Sequence, residues 1–201
     1  VNGDGLLDTI VSTATGSSHV KVFNGIGGAE LFSFLAFPGF TGGVTVGSGD
    51  VNNDGFDDIL VGAGPGTAGG HGKAFSGQDG SLLRSCFAFQ GYTGGVNVAG
   101  GDVNNDGFDD IIVGSAFGAD HVKAFSGATG GLLMSFLSFE GFAGGVTVAG
   151  GDVNGDGFAD VIVGAGAGAP GGHVKAFDGR TGALLMSFLS FEGFPRGGSG
   201  R

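Results

Sequence analysis

The chain has 201 residues, enough for one substantial domain or a short repeat array, and its 49 glycines lack the every-third-residue spacing of collagen. Its net charge of −11 disfavours nucleic-acid binding, because no continuous basic face is available to neutralise phosphates. Hydrophobic residues make up 41% of the sequence and alternate in short runs, which is atypical of a disordered linker.

Self-similarity divides the chain into repeats of roughly fifty residues. An aspartate- and glycine-rich loop recurs, and its asparagine falls at positions 2, 52, 104 and 154. The repeats span approximately residues 1–43, 44–95, 96–145 and 146–194 of a single domain that covers 1–201, followed by a tail at 195–201. Val1 falls within the first acidic loop, so we expect the first repeat to lack its first strand.

Four strands are predicted in each repeat, in a fixed order. A valine-rich run such as 146–149 precedes the acidic loop, and a β-branched run such as 110–114, expected to be buried on both faces, follows it. The third strand is a His-Val-Lys-Ala-Phe run such as 121–125, and a Thr-Gly turn separates it from a fourth strand such as 132–139. No segment has a sustained helical period. The sequence therefore predicts an all-β, propeller-like array of four four-stranded blades, the first incomplete, with the acidic loops between first and second strands.

The acidic loop has the pattern D-x-N-x-D-G-x-x-D, whose spacing suits a metal ion. Side-chain oxygens at positions 1, 3 and 5, a carbonyl at 7 and a carboxylate at 9 can surround one hard cation, and the glycine at 6 permits a sharp turn. Oxygen-only donors favour calcium over zinc or copper. An EF-hand would place Glu at position 12, where these repeats have valine.

We predict one calcium ion per repeat, with three complete sites and one partial site. The predicted ligands are Asn2, Asp4, the Leu6 carbonyl and Asp8 in the first repeat; Asp50, Asn52, Asp54, the Phe56 carbonyl and Asp58 in the second; Asp102, Asn104, Asp106, the Phe108 carbonyl and Asp110 in the third; and Asp152, Asn154, Asp156, the Phe158 carbonyl and Asp160 in the fourth. The first loop lacks a position-1 aspartate, which unseen sequence, water or a neighbouring molecule would have to replace.

The loop and its flanking strands, F-x-G-G-V-x-V-x-G-G-D-V-N-x-D-G-F-x-D-(I/V)-x-V-G-A, resemble the FG-GAP repeat over essentially the whole chain. That family includes the β-propeller heads of integrin α-subunits and many bacterial surface and secreted proteins. The resemblance implies a propeller in which calcium pins the turn between the first two strands of each blade. It also implies an extracellular or cell-surface setting and roles in adhesion or assembly. These repeats are shorter and more alike than integrin blades, so integrin ligand binding is not carried over.

Other recurrent residues favour structural roles. The four equivalent histidines are interpreted as hydrogen-bonding a glycine-rich loop or capping a strand end rather than forming a metal ring; they are His19, His71, His121 and His173. Cys86 aligns with phenylalanines and is interpreted as an apolar strand residue. The recurrent phenylalanines are interpreted as core rather than as a sugar-binding platform; they include Phe139, Phe142, Phe158, Phe191 and Phe194.

These features together predict a calcium-stabilised extracellular structural or adhesion repeat protein without catalytic activity. The incomplete first repeat and the non-repetitive tail suggest either a piece of a longer propeller or a chain that associates head to tail with copies of itself, with a filament as the product if the contact does not close. The alternative function is a lectin-like or protein-binding propeller, with an extracellular protein or a glycan as partner. No apolar run reaches the length of a membrane span, so membrane insertion is not expected.

Overall fold

A computed structural model describes residues 1–191, which contain β-strands and no helix. The strands are β1 (Thr9–Ser12), β2 (His19–Phe23), β3 (Glu30–Leu35), β4 (Val44–Gly49), β5 (Asp58–Ala63), β6 (His71–Phe75), β7 (Leu82–Phe87), β8 (Val96–Gly101), β9 (Asp110–Ser115), β10 (His121–Phe125), β11 (Leu132–Leu137), β12 (Val146–Gly151), β13 (Asp160–Ala165), β14 (His173–Phe177) and β15 (Leu184–Leu189). The predicted tail at 195–201 and the connector containing Phe194 lie outside the described residues.

Each repeat folds into one antiparallel sheet whose strands follow chain order. The first sheet has three strands, β1–β3, and the second, third and fourth have four each: β4–β7, β8–β11 and β12–β15. The all-β array of blades and the incomplete first blade are therefore confirmed. No strand pairing joins the first sheet to the fourth within residues 1–191, so the array is open over this range and propeller-like only in a loose sense.

The predicted strands agree with the observed ones apart from their ends. The fourth strand of the third repeat stops at Leu137, two residues before the predicted end. It stops there because the next two backbone N–H groups bond to Asp120, which precedes the first residue of β10, and the second of them meets a side chain instead of the backbone. Ser138 donates to the Asp120 carbonyl at 3.0 Å, and Phe139 donates to the Asp120 carboxylate at 2.6 Å.

The hydrophobic core lies between successive sheets. Strands β5 and β9 are buried along their whole length, which confirms the expectation for the β-branched runs of the second and third repeats. In the outer repeats the expectation is wrong, because β13 is only partly buried and β1 is exposed or half-buried. Three clusters fill the spaces between the first and second, second and third, and third and fourth sheets. On the third strand of each repeat alternate residues face opposite ways, so His and Lys face the preceding sheet while the residues between them face the following one.

Glycine allows the innermost strands to approach one another closely. A Cβ atom on Gly150 would lie 2.3 Å from the Gly100 carbonyl oxygen, and one on Gly100 would lie 2.4 Å from the Ser48 carbonyl oxygen. Neither glycine has a positive φ angle, so contact between β4, β8 and β12 is the reason that a side chain is not tolerated.

The described residues include no helix long and apolar enough to cross a bilayer.

Candidate metal loops

The acidic loops are tight turns held by their own aspartate and asparagine side chains. In the third repeat, Asp102 accepts hydrogen bonds from the Asp106 and Gly107 N–H groups at 3.0 and 2.8 Å. Asp106 in turn accepts one from the Phe108 N–H at 3.0 Å. Gly107 has φ +89° and Asn105 has φ +56°, so positions 4 and 6 are both left-handed. The positive φ expected for the position-6 glycine is confirmed, and position 4 is filled by Asn or Gly, the residues that tolerate it best.

The position-9 aspartate of each complete loop lies at the start of the second strand, where it is fully buried. Asp110 is 0% exposed and accepts a hydrogen bond from the Val103 N–H at 2.9 Å and another from the Gly127 N–H at 3.1 Å. It thereby ties the start of the acidic loop to the turn between the third and fourth strands. Asp58 and Asp160 make the same two bonds in their own repeats. Sequence reasoning missed this bridge because the turn is 17 residues away.

The buried carboxylates lack a cationic side-chain partner. Within residues 1–191 the ion pairs join Lys21 to Glu30 and the N-terminal amine to Asp8, and neither reaches a complete loop. Burial is the main cause that raises the pKa of Asp110 to about 7, with the charges of Asp106 and Asp102 adding to it. Burial likewise raises the pKa of Asp58 to about 6, with repulsion from the neighbouring loop carboxylates.

The donor set fits calcium in its chemistry, although the oxygens are not gathered around one point. Among the described residues no three acidic, histidine or cysteine side chains converge as a metal site. Positions 1, 3 and 5 instead point oxygens at N–H groups of their own loop. Each carboxylate oxygen has a second lone pair, and the charges at positions 1 and 5 help to raise the pKa of the position-9 carboxyl in the second and third repeats. These loops therefore hold hard oxygen donors whose negative charge a divalent cation would neutralise.

The first loop is incomplete but folds in a similar way. The Asn2 N–H and the Gly25 N–H each donate to Asp8 at 3.0 Å, and Asp4 accepts from the Leu6 N–H at 2.9 Å. This last hydrogen bond is the main reason that the pKa of Asp4 lies below its ordinary value. The structure thus brings Asn2, Asp4, Leu6 and Asp8 into one turn.

Position 8 of the loop links neighbouring repeats, a role that the metal pattern does not predict. The Asp109 N–H donates to the Asp50 carbonyl at 2.8 Å, and the Asp109 carboxylate accepts from the Asp50 N–H at 3.0 Å. Burial is the main cause that raises the pKa of Asp109. The sequence feature that could have indicated this link is the aspartate at position 8 of both the second and the third repeat.

The four equivalent histidines do not meet. The Nε2 atom of each lies 2.8–2.9 Å from a serine hydroxyl of the adjacent fourth strand; the serines are Ser33, Ser85, Ser135 and Ser187. The observed partner of each ring is therefore a strand serine. The expected bond to a glycine-rich loop is wrong, and the alternative, that the histidine caps a strand end, stays a prediction. The antiparallel register pairs the serine with the lysine two residues after the histidine, so the serine is the histidine's diagonal neighbour on the same face of the sheet.

Most of the recurrent phenylalanines lie in or against the core, as expected. Phe139 is buried in the third cluster and Phe142 packs against it. Phe158 lines a groove of about 460 Å³ between the third and fourth sheets, where the Arg180 guanidinium lies 5.5 Å from its ring centroid. Phe191 is 64% exposed, so the core interpretation is wrong for that residue. Cys86 lies in β7, and burial raises the pKa of its thiol to about 11.

The stacked sheets and the recurring acidic loop define a class of tandem β-blade repeat proteins. Residues 1–61 and 102–163 match the FG-GAP-like repeat family, and residues 144–183 match the FG-GAP repeat family. Because the first of these matches covers more than half of the chain, the chain belongs to the FG-GAP-like repeat family. No curated protein matches it at a significant level.

Three solved structures have similar folds. The computationally designed protein Ika8 is 26% identical with a TM-score of 0.53, and the match covers 91% of this chain and 47% of that one. The exotype rhamnogalacturonan lyase YesX is 15% identical with a TM-score of 0.59, and the match covers 92% of this chain and 39% of that one. A protein of unknown function from Bacteroides caccae is 12% identical with a TM-score of 0.54, covering 90% and 60%. The chain thus spans less than two thirds of the length of each.

Proposed function

We propose that this protein is a calcium-stabilised structural or adhesion module that works outside the cell or at its surface. The observation that carries the proposal is the buried position-9 carboxylate, repelled by the other aspartates of its loop and without a cationic side chain beside it in the described residues. A bound divalent ion would supply the missing positive charge, and the chain's own loops would supply the oxygen ligands. FG-GAP repeats are often extracellular, where calcium is abundant.

Calcium removal is expected to lower the melting temperature at pH 8 by on the order of 10 °C, because each occupied site adds binding free energy to the folded state only. The measurement compares protein stripped with EDTA and dialysed against protein with excess calcium. Magnesium at the same concentration is the control for ionic strength, and we expect a smaller effect because it rarely binds an all-protein oxygen cage. An unchanged melting temperature would refute calcium stabilisation.

The effect of calcium is also expected to shrink at acid pH. The pKa of Asp110 is about 7 in the folded chain against an ordinary value of 3.8, so the folded state binds this proton more tightly than the unfolded state does. Metal-free protein should therefore gain stability as the pH falls through 7 and toward 4, where protonation relieves the repulsion. At pH 5 the difference between calcium-loaded and metal-free protein is expected to be smaller than at pH 8.

Self-association forms the second part of the proposal. The fourth sheet leaves its outer face uncovered in the described residues, with every residue of β15 exposed. An uncovered blade face carries apolar surface, and a heterologous contact that does not close yields a filament. Head-to-tail association of copies would give the module an assembly role at a cell surface.

A second candidate function is the binding of a glycan or a protein. The groove of about 460 Å³ between the third and fourth sheets favours it, since it combines an aromatic ring, Phe158, with the Arg180 guanidinium and the polar side chains of Asn104 and Thr181. In the interface between the second and third sheets, Arg84 reaches across to the Gly127 and Ala128 carbonyls at 2.9 and 2.8 Å. In the third repeat the position equivalent to Arg84 is Met134. The groove between the third and fourth sheets therefore lacks such an arginine and is less filled.

Catalysis is not part of the proposal. FG-GAP repeats are generally non-enzymatic, and the repeated carboxylates are assigned here to the ion and to backbone N–H groups. YesX is a lyase, but its likeness at 15% identity concerns the fold.

A further inference from the structure

One position of the fourth strand packs against the following repeat in a different way at each interface. It is the third residue of the strand and pairs with the fourth residue of the third strand; the residues are Phe32, Arg84 and Met134. Each side chain lies near the turn between the third and fourth strands of the next repeat. A Cβ atom on Gly80 would lie 3.4 Å from the Phe32 ring, and one on Gly182 would lie 3.6 Å from the Met134 methyl carbon. The three interfaces thus share a backbone arrangement and differ in this side chain.

Arg84 fills the interface between the second and third sheets by hydrogen bonding to backbone alone. Its Nε donates to the Gly127 carbonyl at 2.9 Å and its Nη2 to the Ala128 carbonyl at 2.8 Å. Its Nη1 donates to the Leu83 carbonyl at 3.1 Å. Within residues 1–191 no carboxylate forms an ion pair with this guanidinium. Two successive carbonyls of a turn therefore accept the guanidinium, whose donors lie in one plane at fixed spacing.

The interface between the third and fourth sheets has the equivalent turn without the arginine. The residues equivalent to Gly127 and Ala128 are Gly179 and Arg180, and both line the groove of about 460 Å³. In the part of the chain that the structure describes, no donor reaches the carbonyl of either residue. Met134 lines the same groove, and its thioether has no N–H to offer. The groove therefore presents two acceptors that its own side chains do not use.

The other walls of the groove suit the stem and the charge of an arginine side chain. Phe158 and Leu133 give the groove apolar surface, along which a hydrocarbon stem can pack. Carboxylates lie beside the polar wall, since Asn104 lines the groove and donates to the Asp106 carboxylate at 3.0 Å. Negative charge next to the groove favours a cationic ligand over an anionic one.

The positive charge of Arg180 has a counter-charge in its own turn. Hydrogen bonds from Thr181 are the main cause that lowers the pKa of Asp178, and the charge of Arg180 contributes to the same shift. In the third repeat the positions equivalent to Asp178 and Arg180 are Ser126 and Ala128. The turn of the fourth repeat thus gains one charge of each sign relative to the turn that already binds a guanidinium.

We infer that the groove between the third and fourth sheets binds an arginine side chain presented by a partner protein. The guanidinium donates to the Gly179 and Arg180 carbonyls, as Arg84 does to the turn of the third repeat. The stem of the arginine packs along Phe158. A lysine fits less well, because its ammonium is a single centre that lacks the planar fork needed to span two successive carbonyls. The inference rests on the second candidate function proposed above and names its ligand chemistry.

The two methionines of the chain provide the reporters for the test. In protein labelled with ¹³C at the methionine methyl groups, Met134 lies in the groove and Met186, its equivalent in the fourth sheet, lies outside it. The probe is N-acetyl-arginine amide, added up to about 20 mM in about 0.15 M NaCl, which screens attraction to the exposed carboxylates. We expect a saturable shift of the Met134 resonance, with a Kd on the order of 1 mM, and an unchanged Met186 resonance.

Two related probes and three variants define the site. N-acetyl-lysine amide and N-acetyl-citrulline amide, the latter planar but uncharged, should bind at least about tenfold more weakly. Met134→Arg rebuilds the arrangement of Arg84 and should lower saturation transfer from protein to probe at least about tenfold. Arg84→Met should open a second groove, and its new methionine methyl should shift with the probe as Met134 does. Met186→Arg, which adds the same charge outside the groove, is the matched control and should leave binding unchanged.

The absence of a saturable Met134 shift at about 20 mM probe overturns the inference. Binding that survives in Met134→Arg overturns it as well, since it indicates attraction to the acidic loops only. An equal shift with the citrulline probe, or a shift with a neutral methyl hexoside but not with the arginine probe, overturns the guanidinium assignment and leaves the groove as a binding site of the second candidate function. Calcium-dependent melting of the same samples tests the calcium proposal separately, because it is expected whether or not the groove binds the probe.

Discussion

Replacing Asp110 with alanine is expected to lower the free energy of unfolding by about 3 kcal/mol even in the absence of calcium. The carboxylate is fully buried and accepts hydrogen bonds from the Val103 and Gly127 N–H groups. Alanine would leave both buried donors without an acceptor and disconnect the loop from the turn after β10. Chemical denaturation of EDTA-treated protein measures the loss.

Asp106→Ala is the matched control for this variant. Asp106 belongs to the same loop, but the hydrogen bonds that it accepts, from Asn104 and Phe108, are exposed. We expect its loss to cost less than about 1 kcal/mol in metal-free protein. With calcium present, both variants should also lose the stabilisation of one site. Equal effects of the two variants in metal-free protein would contradict the bridging role of Asp110.

Replacing Gly145 with alanine is expected to destabilise the fold by about 4 kcal/mol, which combines backbone strain with overpacking. Gly145 has φ +79°, and a Cβ atom there would lie 2.0 Å from the Ala116 carbonyl oxygen. This glycine precedes β12 at the point where the chain enters the fourth sheet, so the clash falls between the third and fourth sheets.

Gly141→Ala separates the two contributions. Gly141 has nearly the same φ, +74°, but a Cβ atom there would meet nothing within 4 Å. Only the cost of a left-handed alanine remains, which is about 1 kcal/mol. Thermal or denaturant melts of the two variants should therefore differ widely, and similar melts would show that close approach to Ala116 is not what requires glycine at 145.

Local sequence pattern was enough to predict the sheets. The β-branched runs, the third-strand runs and the turn glycines each act over a few residues, and all of them appear at the predicted places. The ends of the strands were predicted less accurately, because hydrogen bonds to residues distant in sequence determine where a strand stops. The fourth strand of the third repeat ends early because Asp120, 18 residues away, takes the next N–H groups.

The candidate site was predicted less completely, since spacing reveals residue types but not distant partners. The loop positions and the left-handed glycine follow from the D-x-N-x-D-G pattern. The bridge from Asp58 to Gly77 spans 19 residues, and the Asp109–Asp50 link spans 59, so neither is visible in the pattern. The histidines are a further example of distant partners that spacing does not reveal, because the phenylalanine that lies against His71 belongs to the preceding repeat.

Calcium titration of EDTA-treated protein by isothermal calorimetry tests the central proposal most directly. We expect three ions per chain at the complete loops, with any fourth, weaker event assigned to the partial loop of Asn2, Asp4 and Asp8. Asp54→Ala, Asp106→Ala and Asp156→Ala should each remove one ion. No binding at about 1 mM calcium, the weak end of the range for extracellular modules, would contradict the proposal.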